Sequence, residues 1–349
     1  MVSQQRMETK MRAVAYRAPG PIAGAQVLAD VDLPTPVPTG RDLLVEVRAI
    51  SVNPVDTKVR KSTPPSQGEW NVLGWDAAGV VVGVGADVSR FKPGDEVYYA
   101  GDITRPGANC EFHLVDERIV GRKPQSLDWA GAAALPLTTI TAWEALFDRL
   151  DVKRPVPGAS SILIIGAAGG VGSIAVQLAR QLTDLTVIGT ASRPETRTWI
   201  MELGAHHVLD HSQPLSDEIA RLKLGVPGFV LSTTHTDQHL LEIVKLIAPQ
   251  GRLALIDDPQ VLDIVPFKRK SVSTHWEFMF ARSMHQTADI LQQAALLDEV
   301  SRLVDAGALK TTIAENFGPI TAENLTRAHA LIESGKARGK IVLEGFAAA

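Results

Sequence analysis

Gly169, Gly170 and Gly172 follow closely on the apolar run Ile162, Leu163, Ile164, Ile165. Beyond them Ile174, Leu178 and Leu182 share one helical face, with Ala175 and Ala179 beside them, while Gln177, Arg180 and Gln181 lie largely elsewhere around the helix. That order predicts a buried strand, a tight turn and a helix in succession. Glycine lets the backbone turn sharply and approach a ligand where a Cβ would collide. The first N–H groups of a helix lack intrahelical partners and favour an anion. The chemistry on offer is the cradling of a dinucleotide pyrophosphate, with Ala168, Gly169, Gly170 and Val171 in contact.

Further on, Thr186, Val187, Ile188, Gly189 and Thr190 form a second strand-like run, followed by Ala191, Ser192, Arg193, Pro194, Glu195, Thr196 and Arg197. A fold of this kind that selects NAD ends its second strand on an acid, which accepts hydrogen bonds from the adenosine ribose. No acid ends this strand. A hydroxyl and two guanidinium groups follow it instead, and the guanidinium fork matches a phosphate. Ser192, Arg193 and Arg197 are therefore read as the site of a 2′-phosphate, and the cofactor as NADPH. The plain alternative is a solvated loop with two surface arginines.

The elements that must position these groups change character along the chain. From residue 11 to about 123, valine, glycine and proline dominate, short runs such as Leu43, Leu44, Val45, Glu46, Val47 alternate, and Lys92, Pro93, Gly94 and Asp95 supply a turn. A compact, mostly β domain is expected there. From about 132 the pattern is α/β: the spacing predicts a helix over 141–150, strands near 162, 186, 229–232 and 252–257 with helices between, and a final edge strand within 270–280. That rhythm belongs to a doubly wound parallel sheet. Helices over 286–306 and 322–334 and a strand over 339–344 close the chain.

The 349 residues suffice for two domains. A net charge of −4, with both signs interspersed, leaves no basic face for nucleic acid or a membrane surface. One cysteine, Cys110, excludes an intrachain disulfide and a multi-cysteine zinc lobe. Residues 1–10 lack the apolar core of a signal peptide, and no run of about eighteen apolar residues exists to span a bilayer, so a soluble, cytoplasmic protein is expected. His235 and His239 stand four apart, and His206, His207 and His211 cluster about Asp210. Both groups fall within the cofactor-binding half, so surface or capping roles are expected of them and no metal site.

Four blocks in order resemble the medium-chain dehydrogenase/reductase superfamily, and specifically its quinone oxidoreductase-like branch: ISVNPVDTKVR at 50–60, GWDAAGVVVGVGADVSRFKPGDEVYYAG at 74–101, ALPLTTITAWEAL at 134–146, and the glycine motif with GTASRPETR behind it. ESGKARGKIVLEG at 333–345 resembles the end of that family, so the likeness covers nearly the whole chain. It implies a GroES-like, mostly β catalytic domain over 1–131 and 282–349 and a Rossmann NADPH-binding domain over 132–281. It also implies an active site in the cleft and a homodimer joined through the edge strand near Ser271 to Phe278. Ala167 stands where the fingerprint usually has its first glycine, as is common in this branch. By the same likeness, Asn53 touches the nicotinamide ribose, Thr141 the carboxamide, and His211 places a ring against the adenine. Ile256 and Asp257 bring backbone groups to the nicotinamide edge. Lys340 and Arg338 reach cofactor phosphates, unless they are solvated tail charges.

Near relatives carry the label zinc-type alcohol dehydrogenase, but a catalytic zinc needs thiolate or imidazole ligands with a position open to substrate. The matching positions hold Asn53, Trp75 with Asp76, and Leu137, Thr138 and Thr139. A zinc-free enzyme is expected. Without a Lewis acid an alcohol proton is hard to remove near neutral pH, whereas a nicotinamide hydride can add to a quinone or to the β-carbon of an enone while donors stabilise charge on the carbonyl oxygen. The catalytic candidates are Asn53, Asp76, Thr141 and Trp276. Asp76 is either a structural acceptor or the group that orients a donor. Trp276, with Trp75, Tyr99 and Phe278, walls a pocket for a flat apolar substrate, unless these aromatics are plain core. The competing readings are a zinc-dependent alcohol dehydrogenase and an NADPH-binding protein without turnover.

Overall fold

The computed structural model describes residues 10–22, 27–66 and 68–346, so the polar opening stretch read for a signal peptide lies almost wholly outside the described residues. The chain divides into two compact units, residues 1–137 with 280–349, and residues 138–279. The expected breaks were near 132 and 282. The first unit begins with β1 (Lys10–Tyr16), β2 (Ala29–Pro34), β3 (Asp42–Val52), helix α1 (Pro54–Ser62), β4 (Asn71–Val72), β5 (Ala77–Val84), β6 (Glu96–Tyr99), β7 (Phe112–Asp116), β8 (Val120–Arg122) and α2 (Trp129–Ala133). Helix α3 (Pro136–Trp143) leads into the second unit. There β9 (Ser161–Ile165), α4 (Gly170–Leu182), β10 (Thr186–Thr190), α5 (Pro194–Glu202), β11 (His207–Leu209), α6 (Leu215–Leu222), β12 (Phe229–Ser232), α7 (Thr236–Leu246), β13 (Arg252–Leu255) and β14 (Ser273–Trp276) alternate. The chain returns to the first unit with α8 (Ala281–Met284), α9 (Leu291–Asp305), β15 (Ile313–Asn316), α10 (Ala322–Glu333) and β16 (Lys340–Glu344).

In the first unit β3 pairs antiparallel with β5, β7 and β16. The register Ile341 to Val52 sets the start of the last strand beside the end of β3, and so brings Lys340 to Asn53. A small antiparallel sheet, β2-β1-β4, completes the β structure.

The second unit is a six-stranded parallel sheet in the order β11-β10-β9-β12-β13-β14. The chain winds outward from β9 in one direction, then restarts beside it at β12, which makes the gap between the ends of β9 and β12 a topological switch point. Every residue of β9, β12 and β13 is buried, as expected of parallel strands covered on both faces. Leu163, Ile165, Ile188, Val230 and Leu253 from the strands pack with Ile243 and Phe267 in one core.

Local departures from the sequence expectation have physical causes. Helix α3 ends at Trp143 and the segment Glu144–Arg149 continues as a π-helical turn, where a regular helix over 141–150 is expected. The edge strand is confined to Ser273–Trp276 because Val265–Lys270 coils into a 3-10 turn before it. Gln177 is buried, against its expected place away from the apolar face. Helix α4 is covered on its outer side as well, where Trp199 of α5 donates its indole N–H to Ser173 Oγ at 2.8 Å.

Candidate dinucleotide site and a buried ammonium cluster

Beyond Ile165 the chain turns through Gly166, whose φ of +77° is left-handed and whose missing Cβ would overlap the Thr233 hydroxyl. The N–H of Gly169 donates to the Gly166 carbonyl at 3.1 Å and closes the turn. Gly169 is then the N-cap of α4 and has no side chain with which to occupy the N–H groups of the first turn. A Cβ on Gly172 would run into the backbone of Gly166 and Ala167 and push α4 off the turn. From the neighbouring side of the switch point, the Thr233 N–H and hydroxyl both donate to Ile165 O, at 3.1 and 2.9 Å. The positive end of α4 therefore meets the place where a doubly wound sheet takes its ligand. Gly166 and Thr233 escaped the sequence reading; the extra glycine opening GAAGGVG was the available signal for the first, and Thr233 had none.

At the end of β10 the Thr190 hydroxyl accepts the Gly166 N–H at 3.1 Å and lies 3.3 Å from His211 Nδ1. Ser192 and Arg193 are exposed on the loop that follows, and Arg193 Nε lies 3.4 Å from Glu195. Arg197 is placed differently: its guanidinium donates to the carbonyls of Ala191 and Val208, at 3.3 and 3.1 Å, and so ties the ends of β10 and β11 together. Asp257 is spoken for by α7, accepting the Thr236 N–H at 2.8 Å and the Thr236 hydroxyl at 2.5 Å. The Ile256 N–H donates to Ser232 O at 3.3 Å, continuing the ladder past β13. Thr141 is buried on α3, and Trp276 is exposed at the end of the edge strand, with 54% of its surface accessible. Just beyond it, Glu277 is buried against the equally buried Glu144 of the π turn and accepts from Arg149 Nε at 2.9 Å. Burial first, then the neighbouring Glu144 carboxyl, pushes the Glu277 carboxyl well above the usual range.

Within the first unit, Asn53 caps α1 in a capping box: its backbone N–H donates to Asp56 Oδ2 at 2.6 Å. Asp56 also accepts the Gly74 N–H at 3.0 Å, and burial raises its carboxyl to about 7. Asp76 is fully enclosed. Its Oδ2 accepts from Lys340 Nζ at 2.9 Å and from Asn53 Nδ2 at 2.8 Å, and its Oδ1 accepts the Leu137 N–H at 2.7 Å. Lys340 also donates to Asn53 Oδ1 and, at 3.4 Å, to Val52 O. Lys340 is therefore no solvated tail charge, being only 2% exposed. Burial raises the Asp76 carboxyl, and the Lys340 ammonium opposes that rise. Trp75 and Tyr99 are buried core: Trp75 donates to Asp102 O at 3.2 Å and meets Phe280 edge-on, and Tyr99 stacks on His113.

The donor chemistry here does not fit a zinc ion. Both oxygens of Asp76 are engaged, a cation already fills the centre of the cluster, and Asn53 and Trp75 offer neither thiolate nor imidazole. Among the described residues no group of three or more His, Cys, Asp or Glu could hold a metal ion. Cys110 is buried, and burial pushes its thiol up to about 12.

The alcohol dehydrogenase GroES-like domain family matches residues 39–134, and the zinc-binding dehydrogenase family matches residues 203–343. A zinc-type alcohol dehydrogenase-like protein of Staphylococcus aureus is 37% identical over 95% of this chain and 99% of its own length. Human quinone oxidoreductase is 29% identical over 89% of this chain and 92% of its own. Among solved structures, a Rhizobium etli protein provisionally described as a zinc-dependent alcohol dehydrogenase superposes with a TM-score of 0.95 at 65% identity, over 97% of this chain and 99% of that one. Pseudomonas syringae quinone oxidoreductase superposes with a TM-score of 0.81 at 27% identity, over 96% and 99%. With a parallel dinucleotide-type sheet in one unit, a GroES-like domain match in the other, and a relative matched over 99% of its own length, the chain belongs to the medium-chain dehydrogenase/reductase family of oxidoreductases.

Proposed function

We propose that this oxidoreductase takes NADPH, works without zinc, and reduces a quinone or the C=C bond of an α,β-unsaturated carbonyl compound. One observation carries the reading: Lys340, Asn53 and the Leu137 N–H engage both oxygens of the Asp76 carboxylate where the family name calls for a metal. The names of the quinone oxidoreductases among its relatives support it. When bound, the reduced nicotinamide supplies the hydride. The chain's part is to hold and orient. The uncapped start of α4, with Ala168, Gly169, Gly170 and Val171, takes the pyrophosphate. Ser192 and Arg193 take the 2′-phosphate, and Arg197 fixes the strand ends beneath them. Thr141 meets the carboxamide, the backbone at Ile256 and Asp257 borders the ring, and His211 borders the adenine. Asn53 and Asp76 act through Lys340, which they keep in place. Trp276, with its exposed face, offers apolar surface to a flat substrate. Pairing of the edge strand β14 with its copy is the proposed route to a homodimer.

Absorbance of NADPH and NADH against a panel of quinones, enones and aldehydes, with and without chelator, tests the reading. Consumption of NADPH with quinones or enones, indifferent to chelator, is expected. Chelator-sensitive turnover of alcohols or aldehydes would establish the zinc enzyme instead, and cofactor binding without turnover on any member of the panel would establish a binding protein.

A further inference from the structure

We infer that His211 and His239 make recognition of the cofactor's 2′-phosphate proton-dependent, so that this chain prefers the phosphorylated dinucleotide more strongly as the pH falls through neutrality. The inference rests on the NADPH reading above. The two imidazoles come from different elements, His211 from the loop after β11 and His239 from α7, and their ring centroids lie 6.3 Å apart. His211 Nδ1 is 3.3 Å from the Thr190 hydroxyl, the same hydroxyl that holds the Gly166 N–H of the glycine turn. His235 opens α7 with its Nδ1 2.7 Å from Thr234 Oγ1, and it disfavours protonation of both rings. Arg193, three residues past Thr190, bears on His211 as well. The acids that face the group are already occupied or lie to one side. Asp210 accepts from the Ser212 N–H and hydroxyl and also feels Arg197, Asp257 is engaged by Thr236, and Asp237 belongs to the first turn of α7.

Burial first holds His211 and His239 below the ordinary histidine value; Asp210 opposes this at His211 while His235 and Arg193 add to it, and at His239 the two neighbouring imidazoles add to it against Asp237 and Asp257, so both rings are neutral near pH 7 before a ligand binds. A dianionic phosphate brought to the end of β10 offsets the cost of charging those buried rings, and binding then draws protons onto the imidazoles. NADH brings no such charge. The ligand's own ionisation runs the other way: a phosphate with a second pKa of about 6 loses protons when a cationic site selects its dianion. The sign of proton exchange therefore separates the histidines from the ligand.

The test is titration calorimetry of the full chain with 2′,5′-ADP and with 5′-AMP, in buffers of different ionisation enthalpy, from about pH 6 to about pH 8. Net proton uptake with 2′,5′-ADP, and an affinity roughly tenfold higher at about pH 6 than at about pH 8, are expected, with neither for 5′-AMP. His211→Gln and His239→Gln should each reduce the uptake. Should either variant fold poorly, the histidine C–H resonances of the unmodified protein give the same information, with both titrations moving to higher pH when 2′,5′-ADP is added. Tight 2′,5′-ADP binding that is flat with pH, or that releases protons, or uptake unchanged in both variants, would overturn the histidine role alone. Binding of 2′,5′-ADP no tighter than 5′-AMP at any pH would overturn the NADPH reading itself.

Discussion

A buried ammonium beside a buried carboxylate is expensive to desolvate, and removing one partner is more expensive still, because the other is left charged and alone. Lys340 and Asp76 stand in that relation. Lys340→Met should cost about 3–5 kcal/mol in a urea melt, and adding Asp76→Asn to it should restore part of the loss; two additive penalties would contradict the pairing. A second buried base lies between α1 and α10, where the fully buried Arg60 donates its Nε to His329 Nδ1 at 3.2 Å and pairs with Glu333. Burial, with the Arg60 charge, pushes the His329 imidazole from 6.5 down to about 3. Below pH 6.5 the unfolded chain therefore takes up a proton that the folded chain refuses, so this contribution to stability is complete above that value and is lost as the pH falls toward about 3. His329→Gln keeps an acceptor for Arg60 without a titrating ring. Thermal melts of the variant should lose less stability between about pH 6 and about pH 4, by on the order of 2–3 kcal/mol. Asn53, Asp76 and Lys340 could each be singled out in the sequence through their motifs. Their convergence could not, since the Lys340–Asp76 bond spans 264 positions and local spacing is silent at that range. Arg60 and His329 drew no notice, because a lone arginine and a lone histidine on helices read as solvated.

At the level of elements, the strand, turn and helix around the glycines were legible because local rules agree there: an apolar run, conformational freedom, then helical periodicity. What stayed hidden was the division of labour among the glycines. Gly166 carries the left-handed turn and Gly172 the close approach of α4. Gly166→Ala should cost about 1–2 kcal/mol for the backbone alone, with further loss from the collision at Thr233, and should weaken dinucleotide binding at least about tenfold by fluorescence titration. Unchanged affinity would show that the turn does not cradle the ligand. The π turn after α3 was illegible for a different reason, since its register answers to a tertiary demand, the burial of Glu144 against Glu277 and near Arg149. With the Glu277 pKa raised, the folded chain keeps a proton that the unfolded chain sheds in the ordinary carboxylate range, so stability falls as the pH rises through that range and beyond. Glu277→Gln removes this dependence. Its melting temperature relative to the parent should climb from about pH 5 to about pH 8, and a constant difference would mean that the pair shares no proton.

For the whole molecule, the parallel sheet was readable from alternation alone, whereas the return of the chain end to the first unit was expected only from the family resemblance. β16 is five residues of ordinary strand pattern, and only its register with β3 makes it the carrier of Lys340. Composition also has a consequence at this scale. The chain's single sulfhydryl, on Cys110, is buried, has the carbonyls of Phe112 and Gly107 at 3.3 and 3.5 Å as acceptors for its one S–H, and is pushed up to about 12 by burial. Quinones and enones, the substrates proposed above, are Michael acceptors that arylate or alkylate thiolates, and an enzyme that reduces them would risk inactivation by them. This one offers them no reactive thiolate. Incubated with benzoquinone in the native state, it should show no thiol adduct by intact-mass measurement, and it should gain one at Cys110 after unfolding; a native adduct there would mean that the sulfur is within a quinone's reach.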